Sequence, residues 1–241
     1  MKKSTLAATI AAMLVMVAGA RPASAQTPTS GKLYFSFELG AQPTQREANS
    51  ETSFPLYDET ATISATNPIQ NGMVIGFGGG YKLTPSFGVG VSVNIFNARE
   101  AEASIVASIP DPVFFNRPKV VTATVGDLQH RETATNISVA WFYPIDENFE
   151  IVISGGPSIF NVSHDVPTAS VPSGEDLVTG FVTESATGFG GHINFEGNYF
   201  FNPRYGAGLF LRYAGAKVDL PSVEDLTVGG LQIGAGFRVR F

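Results

Sequence analysis

Alternation with a period of two limits what this chain can fold into more than any other feature, and it is cleanest over the last eleven residues, LQIGAGFRVRF. Every second residue there is apolar: Leu231, Ile233, Ala235, Phe237, Val239 and Phe241. Between them stand Gln232, Gly234, Gly236, Arg238 and Arg240, all small or polar. One oily face opposed to one wet face is a strand pattern, because successive side chains of a strand point to opposite sides.

The pattern recurs along the chain. Residues 32–41 set Leu33, Phe35, Phe37 and Leu39 against Tyr34, Ser36, Glu38 and Gly40. Residues 72–83 and 87–95 flank the tight turn Thr84-Pro85-Ser86, with Lys82 and Asn94 on their small or polar faces. Residues 130–143 and about 149–163 flank a second short turn at 144–148 and carry Ile137, Val139, Trp141 and Tyr143 opposite Asn136, Ser138 and Ala140. Residues 183–201 and 205–213 flank Asn202-Pro203-Arg204. There Phe189, Ile193, Phe195, Tyr199 and Phe201 oppose Gly190, His192, Asn194, Glu196 and Asn198.

With the terminal segment this makes eight strands. Their connections alternate between short turns and the long stretches 42–70, 98–127 and 164–182, with a shorter one near 219–224. The long stretches show no sustained period and read as loops. Pro110, Pro112 and Pro118 argue against an interior strand in the second of them.

Polarity decides what each face meets. An eight-stranded bore is too narrow to hold all the large apolar side chains of the oily face. The glycines and polar groups therefore line the bore and the Leu, Ile, Val and Phe face lipid, inverting a soluble barrel. Only 15% of the residues are charged, against about a quarter in soluble domains. Past residue 25 no apolar run approaches the ~20 residues of a membrane-spanning helix, so a membrane-embedded form has to be a closed barrel. The expected fold is all-β: an eight-stranded antiparallel up-and-down transmembrane β-barrel covering residues 26–241.

The first 25 residues read as a secretory signal peptide. Lys2 and Lys3 precede an apolar stretch over residues 6–20, and Ala23-Ser24-Ala25 offers a small-residue cleavage site after Ala25. Removing it takes Lys2, Lys3 and Arg21 and moves the formal charge from −6 to −9. An acidic chain of this kind argues against nucleic acid as a partner. The absence of cysteine excludes disulfides, thiol nucleophiles and a lipidated amino terminus.

Aromatic residues concentrate near the short turns: Tyr81, Phe87, Trp141, Tyr143, Phe149, Tyr199, Phe201 and Tyr205. In an eight-stranded barrel these places share one rim, where they would form the periplasmic aromatic girdle. The predicted bore carries Glu38, Lys82, Glu150, His192, Glu196, Arg212, Arg238 and Arg240, a set of opposite charges that burial would force to pair. Arg238 and Arg240 are expected near Glu38 or Glu196.

The Gly-aromatic alternation of residues 76–81, Gly155-Gly156-Pro157 and the terminal Phe237-Arg238-Val239-Arg240-Phe241 resemble the small eight-stranded outer-membrane proteins of Gram-negative bacteria, the OmpA transmembrane-domain, Opa and OmpX types. The likeness covers about residues 30–241 and specifies architecture rather than a role. It implies outer-membrane lipid and lipopolysaccharide as surroundings. It also implies that Phe237, Val239 and Phe241 form the signal read by the barrel-assembly machinery. The sequence stops on this strand, so the cell-wall tethering of full-length OmpA is not implied.

Chemistry is harder to find. His192 and Glu196 lie ~13 Å apart along one strand face, too far to share a metal. Ser163 and His164 are neighbours on a strand and point to opposite sides, which disfavours a nucleophile–base pair. Glu47, Glu51, Asp58, Glu59, Glu100, Glu102, Glu175 and Asp176 populate the long connections, where solvated charge is the simplest account. No phosphate loop, HExxH or nucleophile elbow is present, and no metal or cofactor is expected. The expected function is structural or surface interaction with an extracellular ligand through the long connections, the bore being plugged. A narrow passive channel and a lipid-A-modifying enzyme are the alternatives.

Overall fold

The computed structural model describes residues 32–43, 45–98, 101–170 and 177–241. The expected signal peptide, Glu100, Glu175 and Asp176 lie outside the described residues.

Local chemistry makes the three short turns. Thr84 Oγ1 accepts from the Phe87 amide at 2.9 Å. Asp146 Oδ1 accepts from the Asn148 and Phe149 amides, both at 2.7 Å, and Asn202 Oδ1 does the same for Arg204 and Tyr205 at 2.9 Å. Such side-chain mimicry of a turn reverses the chain within a few residues. It leaves no freedom for the strands on either side to pair except antiparallel.

The strands are β1 (Leu33–Gln42), β2 (Arg46–Leu56), β3 (Glu59–Ile69), β4 (Gly72–Lys82), β5 (Phe87–Ala98), β6 (Ala101–Ile109), β7 (Lys119–Leu128), β8 (His130–Pro144), β9 (Phe149–Ser170), β10 (Val178–Phe200), β11 (Tyr205–Val218) and β12 (Leu226–Arg240). Eight of them close a barrel in the order β1-β12-β11-β10-β9-β8-β5-β4. The closing seam joins the first and last strands antiparallel, with Ser36 opposite Arg238 and Phe37 opposite Phe237. Leu33 and Phe241 exchange backbone hydrogen bonds at its end, at 3.2 and 2.8 Å.

Close approach explains two glycines at the seam. A Cβ on Gly234 would sit 2.2 Å from the Leu39 carbonyl and 2.5 Å from the Gly40 Cα. The Phe210 ring fills the room that Gly40 and Gly234 leave inside the wall.

The long stretches correct the sequence reading. Residues 42–70 and 98–127 are not plain loops: they hold two hairpins, β2–β3 and β6–β7, that join as a second, four-stranded sheet in the order β2-β3-β6-β7. The third stretch, 164–182, is largely strand as well, since β9 runs to Ser170 and β10 begins at Val178. The chain thus has twelve described strands, eight of them in the barrel. Pro110, Pro112 and Pro118 fall between β6 and β7, in the connection rather than in either strand. The second sheet has its own core of Ile63, Ala65, Ala103, Ile105, Ala107, Ile109, Val125 and Leu128, with Ala169 and Leu177 of the barrel extension packed against it.

The outer surface of the wall divides into two zones. From the short-turn rim upward it is apolar, as on residues 205–213, where Leu209 is 71% and Tyr213 59% exposed. Nine residues are the length a tilted strand needs to cross a bilayer. Above that band the outward positions turn polar: Asn97, Arg131, Asn161, Thr187 and Lys217. An exposed apolar band beneath a polar collar belongs to a wall seated in lipid, with the collar and the second sheet beyond the hydrocarbon.

Candidate functional site

The candidate site is the interior of the barrel, and it is filled in two unlike layers.

The lower layer, inside the lipid-facing band, is ionic and aromatic. Arg212 Nη2 donates to Glu38 Oε2 at 2.6 Å and its Nη1 to Asn94 Oδ1 at 2.9 Å. Glu150 accepts from Lys82 Nζ at 2.8 Å and from Arg240 Nη2 at 2.6 Å. Arg238 pairs with Glu196, which also accepts from Asn194 at 2.6 Å. Seven predicted bore charges are therefore ordered into three clusters, each joining different strands. Two expectations need correction. Arg240 meets Glu150 rather than Glu38 or Glu196, because the strand register puts it at the short-turn rim. His192 lies in the bore but outside the ion pairs, its two ring nitrogens 2.9 Å from Ser138 Oγ and Ser158 Oγ.

Aromatic rings share this layer, which corrects the expectation of a bore lined only by glycine and polar groups. Tyr34, Phe142, Phe200 and Phe210 point inward and are buried. Each faces a wall glycine: a Cβ on Gly80, Gly88, Gly206 or Gly40 would come within 3.0 Å of the ring opposite. The missing side chain is what admits the ring. The cations then lie over these faces, Lys82 over Phe142 at 4.2 Å and Arg212 over Phe210 at 5.1 Å. Such contacts are strongest where water is excluded. A cavity in this layer, lined by Ser36, Glu38, Ser138, Ser154, His192 and Arg212 among others, is about 40 Å³, room for one or two waters.

The upper layer lies at the level of the polar collar and is built like a soluble core. Val74, Phe96, Ala134, Phe160, Val162, Val166, Ala214, Val218, Leu226 and Val228 pack together, joined from β2 and β3 by Ala48 and Ile69. Alternation located these as inward positions but could not distinguish a polar lining from an apolar one.

Set into that core is a polar cluster the sequence reading did not assemble. His130 and His164, treated singly, stand opposite each other on β8 and β9, with their Nδ1 atoms 3.1 Å apart. His130 Nε2 lies 2.8 Å from Glu132 Oε1, and Asn67 Nδ2 lies 3.2 Å from His164 Nε2. Arg46 Nη2 donates to Glu132 Oε1 at 2.7 Å. Gly229 adopts a φ of +83°, and its amide reaches Glu132 Oε2 at 2.7 Å. Burial, with the neighbouring His130, pushes the His164 imidazole down to about 4 from 6.5, Asp165 opposing. Burial acts to raise the Glu132 carboxyl, but the His130 hydrogen bond and the Arg46 charge outweigh it and hold it below the usual range. Ser163 faces outward, away from His164, as expected of strand neighbours.

On the outside, the aromatic side chains near the short turns all lie on one rim. Trp141 and Tyr143 are 5.8 Å apart, Tyr199 and Phe201 5.7 Å, and Tyr205 stacks on Phe237 at 6.0 Å. Phe87 pairs across the strands with Trp141, and Tyr81 is exposed; Phe149 alone is half-buried. Phe241 meets Phe35 edge-on at 6.0 Å, and Val239 sits opposite Phe35 in the seam register.

No protein-family model and no curated protein matches the chain. Among solved structures, Neisserial surface protein A aligns over 87% of this chain and 97% of its own, at 12% identity and a TM-score of 0.49. The outer membrane protein OprG from Pseudomonas aeruginosa aligns over 88% and 97%, at 9% identity and a TM-score of 0.43. The outer membrane protease OmpT from Escherichia coli aligns over 90% and 99%, at 11% identity and a TM-score of 0.43. A closed eight-stranded wall, apolar outside and charged within, gives this chain the fold of the small outer-membrane β-barrels.

Proposed function

We propose that this protein is a non-enzymatic outer-membrane barrel with a closed bore, and that its work is surface contact through the sheet it holds outside the cell. The filling of the bore carries the reading. Ion pairs and rings occupy the lower half around a cavity of about 40 Å³, and an apolar core occupies the upper half. A solute would have to displace both layers. The buried His130, His164 and Glu132 are 4%, 1% and 2% exposed, so a substrate has no route to the group that most resembles catalytic machinery.

The outward display supports the second half of the proposal. Between β6 and β7 the chain presents Val113, Phe114 and Phe115, 77%, 57% and 71% exposed. The tip is shaped rather than loose: Asp111 Oδ1 accepts from the Val113 and Phe114 amides, and the Asn116 amide donates to Glu59 beside the β2–β3 turn. Adjacent large apolar side chains held in water mark a contact surface. The aromatic rim then faces the periplasm, and Phe237, Val239 and Phe241 serve the assembly machinery.

Planar-bilayer recording tests the closed bore. Wild-type protein is expected to give no steady single-channel steps. Steps at neutral pH would establish the narrow-channel alternative instead. Binding of cells carrying the protein to immobilised matrix or to other cells tests the contact role. F114S/F115S is expected to reduce it at unchanged surface level, and undiminished binding would remove the tip from the proposal.

A further inference from the structure

The second sheet is tied to the barrel mouth by a chain of hydrogen bonds whose direction can be worked out. Asn67 of β3 has only two amide hydrogens, and its nitrogen lies 2.9 Å from the Asp165 carbonyl and 3.2 Å from His164 Nε2. One hydrogen goes to each, so His164 Nε2 is an acceptor and carries no proton. Its proton is then on Nδ1 and is donated to His130 Nδ1. That leaves the His130 proton on Nε2, directed at the Glu132 carboxylate. The chain runs Asn67 to His164 to His130 to Glu132, with every donor facing an acceptor. Arg46 of β2 anchors the far end, giving one hydrogen to Glu132 and another to the Thr227 carbonyl at 2.7 Å.

One additional proton has no place in this chain. On His164 Nε2 it opposes the Asn67 amide hydrogen. On His130 Nδ1 it opposes the His164 hydrogen. Turning the Asn67 amide over would present its oxygen to His164 but also to the Asp165 carbonyl, losing that bond. The two rings themselves are held away from solvent, since Phe96 packs edge-on against His130 at 6.2 Å and His164 is 1% exposed. Unpaired buried donors are costly in such a setting.

We propose that the His130–His164 pair is an acid-operated latch: unprotonated, it seats the second sheet on the barrel mouth, and protonation releases the sheet from the wall. The other groups around the pair are consistent with this assignment. Glu132 and Arg46 are already matched to each other. On β9 the Asp165 carboxylate is occupied by the Gln129 amide and the Thr183 hydroxyl. On β10, Glu184 stands opposite His164 but accepts from Ser222. On β7, Asp127 is exposed. The three carboxylates nearest the pair, those of Glu132, Asp165 and Glu184, are thus already taken up by other partners. His164 being held down to about 4 places the release in acid.

The chain has no cysteine, so a double cysteine variant labels cleanly. S64C on the exposed face of β3 and N97C on the barrel collar, spin-labelled in detergent-solubilised protein, report the sheet-to-wall distance. The expected result is one narrow distance distribution at pH 7 that broadens and lengthens as pH falls towards 3.5. In H130Q/H164Q the amide oxygen at position 164 can accept from Asn67, the nitrogen there can donate to the amide oxygen at position 130, and the nitrogen at 130 can donate to Glu132, so neither position of the pair titrates. That variant is expected to keep the narrow distribution throughout. H164Q alone, which preserves the donor direction and removes the ring whose protonation opposes Asn67, is the second variant should the double variant not fold. An unchanged distribution down to pH 3.5, or glutamine variants that open at the wild-type midpoint, would overturn the latch. The test reads motion of the sheet alone, so it can fail while the closed bore and the contact tip stand, or hold if they fail.

Discussion

Arg212 on β11 donates to Glu38 on β1 at 2.6 Å, and the same guanidinium reaches Asn94 on β5 at 2.9 Å. In the barrel order β5 lies directly opposite β11, so one side chain braces the bore across its full width. Arg212 is 3% exposed and Glu38 6%. Removing one partner of such a pair strands the other charge, a cost of about 3–5 kcal/mol, whereas replacing both with apolar groups is nearly neutral. R212M is therefore expected to lower the unfolding free energy in lipid by about that much. R212M/E38M should recover most of the loss. A single variant as stable as wild type would mean the pair is not an isolated, desolvated brace.

The lipid boundary gives a depth-dependent expectation. Leu209 lies mid-band on β11, and L209R should cost about 2–4 kcal/mol in urea unfolding from vesicles. Arg131 stands in the polar collar, where R131L should change stability by no more than about 0.5 kcal/mol. Equal costs at the two sites would mean the band is placed wrongly.

Close approach at the seam predicts a glycine that cannot be replaced, and the open surroundings of a glycine on β10 predict one that can. G234V would drive a side chain into the Leu39 carbonyl and the Phe210 ring, and should sharply reduce the fraction that refolds to the heat-modifiable form. Around Gly191 the nearest atom to an added Cβ is 3.5 Å away, so G191V should refold normally. Gel mobility of unheated and boiled samples reads both.

Acid stability follows from the His164 shift. Its imidazole ordinarily titrates near 6.5 and is lowered to about 4 in the folded protein. Between those values the unfolded chain binds more protons, so stability falls as pH drops from about 6.5 to 4 and this contribution is flat below. The drop is roughly 3 kcal/mol at one pKa unit per about 1.4 kcal/mol. Glu132, whose folded carboxyl is held low, acts in the same direction but only as pH falls below its ordinary 4.5. Denaturant midpoints measured from pH 7 to 4 should slope for wild type and slope less steeply for H164Q. Parallel curves would remove His164 as the source.

Local alternation was sufficient for the wall. Residue by residue, Phe35, Val91, Ile193 and Leu209 had to face one way and Glu38, Asn94, Glu196 and Arg212 the other. A strand has no other way to place neighbours, and lipid accepts only one of the two faces. The second sheet has the same alternation, with Ala61, Ile63 and Ala65 in and Thr60, Ser64 and Thr66 out. Alanine against threonine gives too little contrast in hydropathy to separate it from a loop.

The pairings within the bore were not legible, for a different reason. Knowing that Glu150 and Arg240 face inward does not bring them together. Ninety positions separate them, and their contact depends on the order of the strands and the stagger of the closed wall. The same holds for His130 and His164, two lone histidines until the β8–β9 register sets them opposite each other. Alternation is a property of neighbours along the chain and can be read there. Which acid meets which base, and whether a bore is wet or packed, are properties of closure, and only the folded barrel decides them.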